Sequence, residues 1–75
     1  MDIEELKRVL DAEGFNPLDY RIAEEPDEST LCLEVRRRLW MVYYFERGRR
    51  YDLKRFSSEE AACANFLCRI RGLPT

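Results

Sequence analysis

The sequence contains no histidine, so the side chain most often used as a general base and as a metal ligand is missing. Its cysteines, Cys32, Cys63 and Cys68, include no C-x-x-C pair, which removes the ligand spacing of a zinc site. The three glycines are isolated, each placed to serve a turn or a helix end, so no glycine-rich loop is present to cradle a phosphate. A cysteine nucleophile would need a neighbouring base, and none is signalled. The many carboxylates fall where solvated helix faces are expected. No set of nucleophile, base and charge-stabilising donor emerges, and the expectation is a chain without enzymatic activity, catalytic residue, cofactor or metal.

Long hydrophobic runs are missing too. No stretch approaches the roughly 20 apolar residues of a membrane span. The first residues, Met1 to Glu5, are acidic and already amphipathic, whereas a secretory signal has a basic start and an apolar run. A cytoplasmic protein with no membrane partner is expected. Cysteine usage agrees. Cys63 and Cys68 are five apart on an expected helix, about 140° away from eclipsed, so they should not bridge. An odd count without paired spacing is no disulfide framework, and all three are expected to be small buried hydrophobes.

What is there is enough for one domain spanning residues 1–75. A chain of this length buries roughly 60% of its unfolded surface and is only marginally stable, which leaves little room for a buried catalytic pocket. Hydrophobic residues make up 45% and aromatics 12%, which supports a packed core and argues against disorder.

Local signals give the elements in order. A first helix is expected from Asp2 to near Glu13, with Asp2 and Glu5 as a capping box and Ile3, Leu6, Val9 and Leu10 as its apolar stripe. Gly14 stops it, with Phe15 placed to pack on Leu10. Asn16 to Asp19 reads as a short helical turn with Pro17 at its first position. A short strand over Tyr20–Ala23 is an open option, so the sheet has three or four strands. Glu24 to Ser29 is an acidic loop, where Pro26 and four acids exclude regular structure. From Thr30 the period becomes two, through a strand to Arg36, a glycine-free turn, a strand from Trp40 to Glu46, a turn at Arg47 and Gly48, and a last strand from Arg50 to Phe56. A second capping box, Ser57 with Glu60, opens a closing helix that runs to about Arg71 and stops at Gly72.

Parity fixes the register. Turns at Arg37-Arg38 and Arg47-Gly48 place Val35 opposite Trp40, Leu33 opposite Val42, Leu31 opposite Tyr44, Tyr44 opposite Tyr51 and Val42 opposite Leu53. All these residues then share one face, and a one-residue slip of the second turn would take Tyr51 and Leu53 off it. The expected fold is α+β: an N-terminal helix, an antiparallel meander and a C-terminal helix, with both helices on the apolar sheet face.

Two features exceed that plain reading. Residues 1–35 carry eleven acids and three bases, a net of −8, and residues 36–75 carry four acids and ten bases, a net of +6. Such halves create fields of opposite sign, unless the acidic helix lies beside the basic strands and neutralises them. Within the acidic half, Glu24, Glu25, Asp27 and Glu28 form either a solubilising loop or an anionic surface for a basic partner. The other feature is the outer sheet face, expected to carry Cys32, Glu34, Arg36, Met41, Tyr43, Phe45, Arg50, Asp52, Lys54 and Phe56. Met41, Tyr43 and Phe45 beside arginines make an interface-like composition, though cross-strand aromatics alone explain it as well. The candidate partner-binding residues are therefore Glu24, Glu25, Asp27, Glu28, Met41, Tyr43 and Phe45.

The stretch from Trp40 to Cys63 resembles small bacterial immunity proteins of polymorphic toxin systems. It carries the pattern W-x-V-Y-Y-x-E-R-G from Trp40 to Gly48, then Leu53 and Phe56 as L-x-x-F, an acidic cap at Glu59, and Ala62-Cys63 before the terminal helix. Cys32, Leu33 and Glu34 also fit. The similarity covers about half the chain well, and departs where Arg37, Arg38 and Leu39 replace the glycines that often precede the tryptophan. The resemblance implies a stoichiometric toxin inhibitor acting by protein–protein interaction on a cognate protein toxin, as a monomer or homodimer. It assigns no interface residue. The alternatives are a homodimeric structural module and a nucleic-acid-binding module built on Arg36, Arg37 and Arg38 and on Arg47, Arg49 and Arg50 with Tyr43 and Phe45, which the negative net charge and the placing of the two arginine groups at opposite ends of the meander argue against.

Overall fold

Helix α1 (Ile3–Ala12) is followed by a 3-10 turn (Pro17–Asp19) and then by β1 (Tyr20–Ile22), β2 (Thr30–Arg36), β3 (Leu39–Glu46), β4 (Arg49–Phe56) and α2 (Glu59–Ile70). The computed structural model describes residues 1–74. The architecture is α+β, with a four-stranded sheet in the order β1-β2-β3-β4. The sheet is mixed rather than a pure antiparallel meander, because β1 runs parallel to β2. The reason lies in the acidic loop, which carries the chain from the end of β1 back to the start of β2 so that both strands point the same way.

The helix ends follow the sequence signals with two corrections. The Asp2 carboxylate caps α1 by accepting from the Glu5 amide at 2.8 Å. The reciprocal bond of the expected box, from the Asp2 amide to Glu5, is missing among the described residues, and the next amide, that of Ile3, donates instead to Glu59 Oε2 at 2.8 Å. Gly14, at φ 79°, ends the helix, and the Phe15 amide bonds the Leu10 carbonyl as a Schellman motif requires. In α2 the cap is Ser58, not Ser57: its hydroxyl accepts from the Ala61 amide at 3.0 Å. That one-residue shift puts Glu59 at the first helical position, where its carboxylate reaches α1.

The sheet and both helices enclose one core. Leu6 and Leu10 of α1, Ile22 of β1, Leu31 and Leu33 of β2, Val42 of β3, and Ala62, Cys63, Phe66 and Leu67 of α2 are all buried in it. Each fully buried Leu, Ile, Val or Phe contributes roughly 1.5–3 kcal/mol relative to an exposed one. Tyr20 meets Phe66 edge-on at 6.2 Å between ring centres. All three cysteines are free thiols.

The β2–β3 register is the one parity gives: Val35 faces Trp40, Leu33 faces Val42 and Leu31 faces Tyr44. Past the second turn it holds for one pair and then fails. Tyr44 faces Tyr51, but Val42 faces Lys54 instead of Leu53. A bulge sets Asp52 and Leu53 together against Tyr43, with Asp52 at φ 53°. Leu53 therefore turns to the outer face, beside Cys32, Met41 and Tyr43. Lys54 moves to the face of Val42, and Phe56 packs against the helix-side core. Arg69 of α2 holds the bulge, donating to the carbonyls of Val42 at 3.2 Å and Asp52 at 3.0 Å.

Candidate functional site

The acidic loop is tied down at several points. Pro26 blocks regular structure within it, and Ala23 and Ser29 at its two ends take left-handed φ values of 56° and 57°. Arg21 projects from β1 and pairs with Asp27 at 2.9 Å. The Asp27 carbonyl accepts from the Thr30 hydroxyl at 2.6 Å. The Glu28 carboxylate reaches the β3–β4 turn and accepts from the amides of Arg47 at 2.9 Å and Gly48 at 3.2 Å. Arg47 and Gly48 have φ values of 52° and 72°. With both residues left-handed, their N–H groups converge on one carboxylate, a small anion nest filled from within. Asp27 and Glu28 thus hold the loop. Glu24 and Glu25 are exposed and have no side-chain hydrogen bond or ion pair among the described residues.

The outer sheet face carries a second apolar cluster. Cys32, Met41 and Tyr43 are 2%, 8% and 1% exposed, with Leu39, Phe45 and Leu53 partly buried around them. Tyr43 is covered by Arg50, whose guanidinium carbon lies 5.1 Å from the ring centre. Its hydroxyl donates to Glu34 Oε1 at 2.8 Å. Burial pushes the Tyr43 phenol up to about 12, with the Glu34 carboxylate adding to that and Arg50 opposing it. Burial also raises the Cys32 thiol. Glu34 is in addition approached by Arg36 at 3.3 Å and Arg50 at 3.4 Å. Both guanidiniums are substantially exposed, so neither contact is tight.

Loop and face meet at an open cleft of about 570 Å³ lined by Ala23, Glu24, Glu25, Pro26, Glu34, Val35, Arg36 and Arg50. The acidic loop forms one lip, the arginines of the sheet form the other, and Glu34 lies between them. The two surfaces read separately from the sequence are therefore neighbours on one side of the molecule. Of the seven candidate residues, Glu24 and Glu25 line this cleft, and Asp27 and Glu28 brace its lip. Met41 and Tyr43 support the face from beneath rather than forming its surface, and Phe45 sits half-buried outside the cleft lining. Alternation puts Glu34, Arg36 and Arg50 on the outer face, where the two arginines figure only in the nucleic-acid alternative and Glu34 is not among the candidate partner-binding residues. The available signal was a lone carboxylate at alternating positions among arginines.

No known family, curated protein or solved structure matches the chain. Among the described residues no helix is long and apolar enough to cross a membrane, and no group of three or more His, Cys, Asp or Glu side chains is arranged to hold a metal ion.

Proposed function

We propose that this chain is a stoichiometric protein-binding inhibitor, an immunity protein that neutralises a cognate bacterial toxin domain in the cytoplasm. The observation that carries the reading is the pair Glu24 and Glu25, exposed and unpartnered on a loop that is otherwise braced. A fixed anionic lip loses little conformational entropy when a cationic surface docks. The opposed charges across the cleft set orientation and raise the association rate more than the affinity. Inhibitors of this type reach sub-nanomolar binding, about −12 kcal/mol or stronger. The Trp40–Cys63 resemblance points to the same role. As a nucleic-acid binder the outer face is poorly furnished, because Tyr43 lies under Arg50 and is not open for base stacking.

The test is to express each open reading frame that flanks this gene and to co-express any that proves toxic with this protein. The reading expects rescue of growth and co-purification of a one-to-one complex. A toxin that kills equally well with and without this protein, and does not co-purify with it, disproves the reading.

A further inference from the structure

β1 stops before β2 does, and the mismatch leaves a stretch of vacant strand edge inside the cleft. β1 pairs Tyr20, Arg21 and Ile22 with Leu31, Cys32 and Leu33. The Ala23 amide adds a last bond to the Leu33 carbonyl at 2.8 Å. Ala23 then turns the chain away into the acidic loop with its left-handed φ of 56°, while β2 runs on to Arg36. In the β2–β3 hairpin, Arg36 stands opposite Leu39 and Glu34 opposite Met41 across a two-residue turn. Those are the pairs that exchange main-chain bonds in such a hairpin. The N–H and C=O of Val35 therefore point the other way, into the line that β1 has left. Val35 lines the cleft and is 40% exposed. No main-chain bond reaches it from that side among the described residues.

An open edge is a template for another strand unless charge, proline or a bulge blunts it. The far edge of the sheet is blunted in this way, since β4 carries Arg49, Arg50, Lys54 and Arg55 and is bulged at Asp52. The β2 edge at Val35 has neither proline nor bulge on its strand, its flanking charges Glu34 and Arg36 pair with each other, and it opens into a cleft. We infer that this vacant edge docks an extended, basic segment of a protein partner, which adds to the sheet beside Val35 in the line of β1. The main chain supplies the hydrogen bonds, as in strand addition elsewhere. Charge selects the side chains. Arg36 and Arg50 share the single carboxylate of Glu34, so with Glu24 and Glu25 the three acids and two bases of the cleft leave it net negative, with the unpaired negative charge on the loop side. Lysine and arginine also suit the walls, because their methylene stems can lie on Ala23 and Pro26 while the charged heads reach the carboxylates. A nucleic acid has no strand edge to offer, and its phosphates would meet the carboxylate lip. The inference rests on the protein-binding reading and names the partner segment that reading leaves open.

The test uses the full chain and a synthetic probe, acetyl-Val-Lys-Val-Arg-Val-amide, followed by amide-resolved NMR. The expected result is saturable shifts confined to residues 23–26, 34–36 and 50. At a probe concentration ten times its dissociation constant, the Val35 amide should exchange about tenfold more slowly than in the free protein. N-methylation of the probe's central amides should abolish binding, and the double variant Glu24→Gln/Glu25→Gln should weaken it about fivefold. Equal binding of acetyl-Val-Glu-Val-Glu-Val-amide, indifference to N-methylation, or a Val35 amide already protected in the free protein overturns the inference. Self-association through this edge, seen as a dimer in light scattering with a protected Val35 amide, overturns it in favour of a second copy. Toxin neutralisation with a Val35 amide that stays unprotected in the complex sinks this inference alone. Specific probe binding without neutralisation sinks only the inhibitor reading.

Discussion

Tyr43 shows what alternation along a strand can and cannot reveal about one residue. Parity puts it on the outer face, and that is where it lies. Parity does not show that the ring is 1% exposed, roofed by Arg50 and hydrogen-bonded to Glu34, because those contacts depend on the twist of the sheet and the reach of long side chains. The phenol is raised from 10.0 to about 12. A group that holds its proton more tightly when folded stabilises the fold fully below its unfolded pKa. That contribution is lost as pH rises through the folded value. Stability should therefore fall between pH 10 and pH 12, with a Tyr43-dependent part of up to about 3 kcal/mol. The variant Tyr43→Phe removes the titrating group. It should lower stability at pH 7 by about 1–2 kcal/mol through the lost bond to a carboxylate, and should flatten the alkaline fall. Urea titrations of both proteins at pH 7, 10 and 12 measure this, and an unchanged alkaline slope in the variant rules the assignment out.

Among the elements, most starts and stops were legible, because caps and glycines act locally. Asp2, Gly14, Asn16, Gly48 and Gly72 all do what their types suggest. Two adjacent serines are a different matter, since either can cap and only the tertiary fold chooses. Glu59 bonds the Ile3 amide from the first helical position, and that contact selects Ser58. Ser58→Ala should cost about 1 kcal/mol. Ser57→Ala should stay within about 0.5 kcal/mol of the parent, as an exposed position with no such role. The reverse order would restore the cap to Ser57. The bulge in β4 was not legible for a comparable reason. Nothing in Tyr51-Asp52-Leu53 announces an extra residue, and Asp52 tolerates its left-handed φ without being a glycine. The bulge is instead supported from α2 by Arg69, seventeen residues further along. The parallel direction of β1 was also hidden, because a three-residue strand carries too little pattern to show its sense.

Across the whole molecule, the charge division of the sequence turns out to serve both readings. Glu13 pairs with Arg71, Glu28 caps the turn at Arg47 and Gly48, and Glu34 draws Arg36 and Arg50. These contacts join the acidic half to the basic half, and two of them, at Glu13 and Glu34, bring opposite charges together. Glu24 and Glu25 remain outside that pairing among the described residues, so they matter to encounters rather than to folding. Glu24→Gln/Glu25→Gln should change the unfolding free energy by less than about 0.5 kcal/mol. It should slow association with a cationic partner at low salt and have little effect at 1 M, where screening reaches about 3 Å. Stopped-flow association at several ionic strengths, beside a thermal melt, separates the two effects. A large loss of stability would mean that the pair holds the fold after all. The contact between Ile3 and Glu59 spans 56 positions, and that between Glu13 and Arg71 spans 58. The first helix packs on the last one and is fastened to it near both ends, so α1 waits for almost the whole chain before it finds its place. During synthesis α1 emerges well before α2, the helix to which these contacts fasten it. Such distant pairings make for slow folding, and in that interval the apolar stripe of α1 stays open to chaperones and to like chains.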